Sequence, residues 1–199
     1  EVLDSNIEVV REYRVFGSRW LLDSNLREGD KIIVSGTVGD HGIAVLSQRE
    51  GYGFDSRIIS DVAPLNKLVH KLLKVGGIVA MKDPTRGGLA NALNEWSEKS
   101  KVGILIEEDK IPIREGVRAA GEMLGIDPLE IGNEGKLVIG VVKEQAEQVL
   151  KELKKTRQGR DAEIIGEVNE DLKAVVLDTG VGGRRIMAQP AGDPVPRIC

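Results

Sequence analysis

A glycine loop carries the first sign of chemistry in this sequence. Asp83-Pro84-Thr85-Arg86-Gly87-Gly88 follows an apolar run and precedes a periodic helix. Glycines at the mouth of a helix let a ligand reach backbone N–H groups that have no partner inside the helix, and such a mouth attracts phosphate. Arg86 favours this interpretation of the loop as an anion site. The alternative is that Asp83 or Thr85 caps the helix and the glycines only turn the chain. A Walker A lysine-serine pattern is absent, so the loop is not a P-loop.

The two histidines suggest at most one further site residue. His41, between Asp40 and Gly42, is either an acid-base group or a residue that helps to cap the following helix. His70 lies off the apolar stripe of its helix, which predicts a solvated surface side chain. With two histidines far apart and one cysteine, no metal-ligand spacing is present, and no metal site is predicted in this chain.

A carboxylate stands in a second glycine loop, Gly132-Asn133-Glu134-Gly135, just before a strong strand pattern. A loop carboxylate held by a rigid neighbouring strand can act as a general base. The alternative for Glu134 is an exposed turn residue or a salt bridge with Lys136.

The only cysteine, Cys199, is the last residue of the sequence and follows a proline-rich stretch. A lone thiol cannot form an internal disulfide and suits a reducing compartment. The stretch 189–199 would reach about 36 Å if fully extended, as a carrier arm would. The alternative is an accidental exposed thiol. Prenylation of the usual kind needs the cysteine four residues from the end and is excluded.

The elements that must position these residues follow an alternating pattern. Runs of β-branched residues predict strands. Apolar residues that recur at i, i+3, i+4 and i+7 predict helices. Strand patterns cover 31–36, 78–81, 102–106, 136–142, 162–168, 174–179 and 185–188, and helical patterns cover 43–49, 65–72, 89–96, 117–124 and 146–153. This order favours an α/β (α+β) fold, a mixed β-sheet with flanking helices.

The predicted organisation is one domain with two extensions. Residues 1–28 are expected to form an irregular lead-in with at most a short helix, or a remnant of an N-terminal region. Residues 29–188 are expected to form the domain, and residues 189–199 a flexible tail. The net charge of −4 and an aromatic content of 3% argue against nucleic-acid binding. No apolar run approaches the roughly 20 residues of a membrane span and no signal peptide opens the chain, which predicts a cytoplasmic protein.

Four motifs taken together resemble one family. They are the sequence from Gly36 to Gly42 (Gly-Thr-Val-Gly-Asp-His-Gly), the loop from Asp83 to Leu89, Asn133-Glu134-Gly135-Lys136-Leu137, and the ending Pro196-Arg197-Ile198-Cys199. Their order and spacing are similar to those of the hydrogenase maturation factor HypE. That family belongs to the superfamily of aminoimidazole ribonucleotide synthetase and selenophosphate synthetase, whose C-terminal domain is a mixed sheet, distantly ferredoxin-like.

The resemblance implies a chemistry. A HypF-like carbamoyltransferase would load a carbamoyl group on Cys199, and ATP would phosphorylate the carbamoyl oxygen. Loss of phosphate and of the N–H protons would leave a thiocyanate, with Glu134 as the base. Cyanide would then pass to iron on a HypC–HypD complex, for the nickel-iron hydrogenase centre. The resemblance also assigns the nucleotide and tail site to Asp83, Thr85, Arg86, Gly87 and Gly88, with His41 nearby.

In this family an N-terminal domain supplies aspartates for Mg²⁺, a lysine for the phosphates and most of a homodimer interface. The sequence does not contain a match to it, so the 199-residue chain is expected to fold but not to make thiocyanate by itself. Two other hypotheses stay open. One is a non-catalytic carrier or docking module that presents Cys199 to partner enzymes, and the other is a different ATP-dependent synthetase of the superfamily.

Overall fold

The fold was analysed in a computed structural model, which describes residues 1–49, 51 and 58–192. Within these residues, the α-helices are α1 (Val2–Tyr13), α2 (Asp40–Arg49), α3 (Asn66–Val75), α4 (Gly88–Ser100), α5 (Glu115–Leu124) and α6 (Ala146–Lys154). The strands are β1 (Lys31–Val34), β2 (Ile78–Lys82), β3 (Gly103–Glu107), β4 (Val138–Val141), β5 (Glu163–Asn169), β6 (Val175–Asp178) and β7 (Arg184–Ile186). Short 3-10 turns occupy Glu108–Lys110, Pro128–Glu130 and Lys143–Gln145.

The strands form one mixed sheet in the order β2-β4-β1-β5-β3-β6-β7. The pair β3 and β6 is parallel, and the other neighbouring pairs are antiparallel. This confirms the predicted α/β (α+β) class with a mixed sheet. Strand β1 lies between β4 and β5, so the loop that follows β1 and the loop that precedes β4 leave the sheet side by side.

Helices cover both faces of the sheet because its strands alternate their apolar side chains. Ile32 and Val34 point to the face that packs on α4, and Ile33 points to the face that packs on α3 and α6. Trp96 of α4 is completely buried in the first core. A third apolar cluster, which joins α2, α5 and Ile131, lies beside the sheet.

Helix α1 is longer and better packed than the lead-in that the sequence predicts. It lies against α3, and its buried Asn6 side chain pairs with both polar groups of one residue of the edge strand β2. Asn6 Nδ2 donates to the Ile78 carbonyl at 2.8 Å, and the Ile78 N–H donates to Asn6 Oδ1 at 2.8 Å. Ile7 and Val10 of the same helix are buried.

The segment after α1 is tied to the sheet through an ion pair. The Arg14 guanidinium donates to both carboxylate oxygens of Asp30, at 2.8 and 2.9 Å, and to the Asn25 carbonyl at 2.9 Å. Asp30 is 3% exposed, and this burial raises its pKa to about 6 although the adjacent Arg14 and Arg27 act in the opposite direction. Arg14 therefore fastens the end of α1 to the residue that precedes β1, whereas Val15 and Trp20 between them are exposed.

The chain that follows β7 runs along α4. Asn94 Nδ2 donates to the Met187 carbonyl at 2.9 Å, and Gln189 Nε2 donates to Asn91 Oδ1 at 2.8 Å. These contacts fix the root of the predicted tail beside the first turns of α4. Cys199 and the rest of residues 193–199 lie outside the described residues. None of the helices in the described ranges is long and apolar enough to cross a bilayer.

Candidate active site

Three of the four family-like motifs meet at one end of the sheet. Around Asn133, the Gly39 N–H donates to Asn133 Oδ1 at 2.9 Å, and the Asn133 N–H donates to the Pro84 carbonyl at 3.0 Å. The Gly42 N–H donates to the Gly132 carbonyl at 3.2 Å. The loops 36–42, 83–88 and 131–136 are therefore joined by direct hydrogen bonds, although they are far apart in sequence.

Glycines are required where these loops touch. A Cβ at Gly132 would lie 2.0 Å from the Thr85 carbonyl oxygen, and a Cβ at Gly88 would lie 2.5 Å from the Ile131 carbonyl oxygen. Gly88 also has a φ of +60°, which L side chains rarely adopt. The close approach of the two loops explains both glycines, with no need for a ligand at these positions.

Helix α4 begins without a side-chain cap. Its N-cap is Gly87, in the left-handed conformation with φ 65°, and no side chain provides the capping hydrogen bond. The alternative that Asp83 or Thr85 caps this helix is therefore wrong. The side chains of Asp83 and Arg86 are exposed, and Thr85 is half-buried. An open helix N-terminus beside an exposed arginine is compatible with an anion, and nucleotide binding by this loop stays a prediction.

Glu134 lies at the exposed tip of its loop, between residues that are buried. Its backbone N–H donates to Asp61 Oδ1 at 3.0 Å, and Asp61 Oδ2 accepts from Lys136 Nζ at 3.1 Å. An exposed carboxylate on a fixed backbone is compatible with a general base and also with the alternative of an exposed turn residue, so the role of Glu134 as a base stays a prediction. The side-chain pair with Lys136 that the alternative interpretation expects is instead made by Asp61.

Charged side chains, most of them buried, form a cluster next to the loops. Asp40 is completely buried, its Oδ2 accepts from the Thr37 hydroxyl, and its Oδ1 has no hydrogen-bond partner. Arg114 Nε lies 3.6 Å from Asp40 Oδ1, and Lys136 Nζ lies 3.9 Å from Asp40 Oδ2. Burial raises the pKa of Asp40, while Thr37, Arg114 and Lys136 lower it and Asp61 adds to the increase. Lys136 is thus the counter-charge of two carboxylates, those of Asp40 and Asp61.

His41 is the second residue of α2, so it lies inside the helix and does not cap it. Its Nδ1 is 2.9 Å from the Ser60 hydroxyl oxygen. Ser60 and Asp61 belong to the segment 58–63, which brings a fourth chain segment to the site. His70, by contrast, is exposed on α3, as the sequence predicts.

Sequence reasoning missed Asp40, Asp61 and Lys136 as parts of the site. Asp40 and Lys136 stand inside the motifs and could have been noticed there as charged residues that each follow a glycine. Asp61 has no such signal, because it lies in a stretch without a periodic pattern. In the described part of the chain, no group of three or more His, Cys, Asp or Glu side chains could hold a metal ion.

Comparison with known proteins identifies the domain. Residues 27–178 match the family described as AIR synthase related protein, C-terminal domain. A hydrogenase expression/formation protein of Methanocaldococcus jannaschii is 55% identical over 178 residues, which are 89% of this chain and 53% of that protein. Carbamoyl dehydratase HypE of Bradyrhizobium diazoefficiens is 47% identical over 87% of this chain and 51% of that protein. The chain thus spans about half the length of these curated relatives.

Solved structures give the same result for the fold. HypE in a HypE–HypF complex is similar with a TM-score of 0.82 and 49% identity, over 84% of this chain and 55% of that chain. HypE in complex with ATP is similar with a TM-score of 0.86 and 39% identity, over 94% of this chain and 57% of that chain. The resemblance to HypE that the four motifs carry is confirmed. The chain belongs to the family of AIR synthase related C-terminal domains, and several of its relatives are named HypE.

Proposed function

We propose that this chain is the C-terminal part of a carbamoyl dehydratase for hydrogenase maturation, and that the whole protein is the enzyme. Its task is to convert a carbamoyl group on Cys199 into a thiocyanate at the expense of ATP. The observation that supports this most directly is the meeting of three motif loops around the buried Asn133, next to the exposed carboxylate of Glu134. Relatives named carbamoyl dehydratase and a HypE structure with ATP support the same reaction.

The proposed reaction balances as follows. The carbamoyl oxygen attacks the γ-phosphorus of ATP, and ADP leaves. The C–O bond then breaks, the oxygen departs in inorganic phosphate, and the two N–H protons are lost, so the carbon and nitrogen become a nitrile on sulfur. Glu134 takes one of these protons from the nitrogen, and the departing phosphate takes the other. Phosphorylation is needed because it turns a poor leaving group into a good one.

The loop from Asp83 to Gly88 would bind the nucleotide phosphates through Arg86 and the uncapped N–H groups of α4. The root of the tail supports this arrangement. Gln189 is held by Asn91, and a Cβ at Gly87 would lie 3.6 Å from Pro190 Cγ. Residues that follow Pro190 therefore start beside the glycine loop, which brings Cys199 within reach of it.

The partners and location form part of the same proposal. A HypF-like carbamoyltransferase would load Cys199, and a HypC–HypD iron complex would receive the cyanide, in the cytoplasm. The whole protein would be a homodimer. ATP would be accompanied by Mg²⁺, for which residues 1–49, 51 and 58–192 contain no cluster of ligands.

Two variants of the full-length protein test the proposal. After carbamoylation by the HypF-like partner, addition of ATP should lower the mass of the C-terminal peptide by one water. Cys199→Ser should prevent the adduct from forming on that residue. Glu134→Gln should leave the carbamoyl adduct intact and stop the ATP-dependent loss. A carrier without its own catalysis predicts normal turnover for Glu134→Gln, and another synthetase predicts ATP turnover by the Cys199→Ser protein.

A further inference from the structure

Asp61 has an unusual environment for a residue that no motif includes. Its side chain is 2% exposed, and its two carboxylate oxygens are divided between two members of one loop. Oδ1 accepts from the backbone N–H of Glu134 at 3.0 Å, and Oδ2 accepts from Lys136 Nζ at 3.1 Å. A buried carboxylate is costly unless it is fully paired, so this placement needs an explanation beyond packing.

The backbone around Asp61 is fitted to the same loop. A Cβ at Gly135 would lie 1.9 Å from the Asp61 carbonyl oxygen and 2.9 Å from the Ala63 nitrogen. The segment 58–63 and the Glu134 loop are thus in direct backbone contact at the residue next to Glu134. The carboxylate and the backbone of Asp61 therefore hold the loop from two directions.

From these contacts we infer that Asp61 is a positioning residue for Glu134. Asp61 would fix the backbone on which Glu134 stands, so that the exposed carboxylate meets the bound carbamoyl group in one geometry. This inference rests on the proposed function, because it assumes that Glu134 is the base. Asp61 has no role as an acid or base in it.

The structure separates this role from simple neutralisation of Lys136. Lys136 Nζ also lies 3.9 Å from the buried Asp40, which keeps a counter-charge if Asp61 is lost. Asp61→Asn keeps an oxygen acceptor for the Glu134 N–H, but it removes the negative charge and the acceptor for Lys136 Nζ. Asp61→Ala also removes the acceptor for the Glu134 N–H. A positioning role predicts that Asn preserves function better than Ala, whereas a pure charge role predicts that the two variants are equally impaired.

The test uses the full-length protein, carbamoylated at Cys199, with ATP. Asp61→Ala should lower the rate of the ATP-dependent mass loss by about 100-fold, as expected for a small misplacement of a reacting group. The KM for ATP and the extent of carbamoylation should not change. Asp61→Asn should recover most of the lost rate. Asp171→Asn, at an exposed position, is the matched control and should react as the wild type does.

The inference is overturned if Asp61→Ala reacts at the wild-type rate, or if both variants at this position are equally slow with a raised KM. Should the alanine variant fail to fold, hydrogen exchange of the Glu134 amide in Asp61→Asn decides the question. Protection and reaction rate that change together support the inference, whereas lost protection at the wild-type rate, or full protection with a slow reaction, overturns it. If the wild-type protein shows no ATP-dependent mass loss, the proposed function itself fails, and the inference fails with it.

Discussion

The pairing of Asn6 with the edge strand can be tested by removing one side chain. Asn6 is completely buried, and its amide satisfies both the N–H and the carbonyl of Ile78 at 2.8 Å. Asn6→Ala leaves both backbone groups buried without these partners. Each such loss costs about 1–3 kcal/mol, so the free energy of unfolding should fall by about 4 kcal/mol.

Urea unfolding of the 199-residue chain measures this effect. With a denaturant slope of about 3 kcal/mol per M, the midpoint should move down by about 1 M. Ser5→Ala is the matched control on the same helix, because the Ser5 hydroxyl is exposed and bonds only to the Glu1 carbonyl within the first turn, at 3.2 Å. Its effect should stay within about 0.5 kcal/mol. If the two variants unfold at the same urea concentration, α1 is not docked on β2 and the reasoning is wrong.

Two further predictions concern the Arg14 ion pair and the contact between the loops. Arg14→Met should cost about 3–5 kcal/mol at neutral pH, because Asp30 stays buried without its cation. This loss of stability should shrink as the pH falls toward about 5, because burial keeps the pKa of Asp30 above its unfolded value and the carboxylate of the folded protein then gains a proton. Urea unfolding at several pH values measures the loss. A loss that grows on acidification would contradict the prediction. Gly132→Ala should lower the melting temperature, because its Cβ would lie 2.0 Å from the Thr85 carbonyl oxygen and overpacking costs about 1–3 kcal/mol. Gly17→Ala, with nothing within 4 Å of its Cβ, is the control, and an equal melting temperature for both variants would show that the loops separate freely.

The sheet and its main helices could be predicted because their signals are local. Leu68 and Leu72 lie on one stripe of α3, and the β-branched run through Ile32 and Ile33 forms the buried strand β1. Helix α1 was harder to predict. It is held partly by a buried polar side chain, Asn6, and hydropathy does not distinguish such a residue from an exposed one.

The sequence motifs indicate which loops the structure brings together, and the roles of their residues stay predictions. The loops that carry His41, Thr85 and Glu134 do meet, and the motifs brought them to attention. The hydrogen bond between Asp61 and the Glu134 N–H joins residues 73 positions apart, and nothing in the local sequence of Asp61 indicates that separation. The burial of Asp40 could not be predicted either, because an aspartate that follows a glycine is typical of an exposed turn.

The anchoring of Gln189 by Asn91 has a kinetic consequence. Cys199 lies ten positions after Gln189, so the thiol stays within about 36 Å of the anchor at full extension. A group on so short a tether has an effective concentration in the millimolar range near the loops, whatever the concentration of the protein. Conversion of that group would therefore follow first-order kinetics that dilution does not slow, and the loops would need little intrinsic affinity for it.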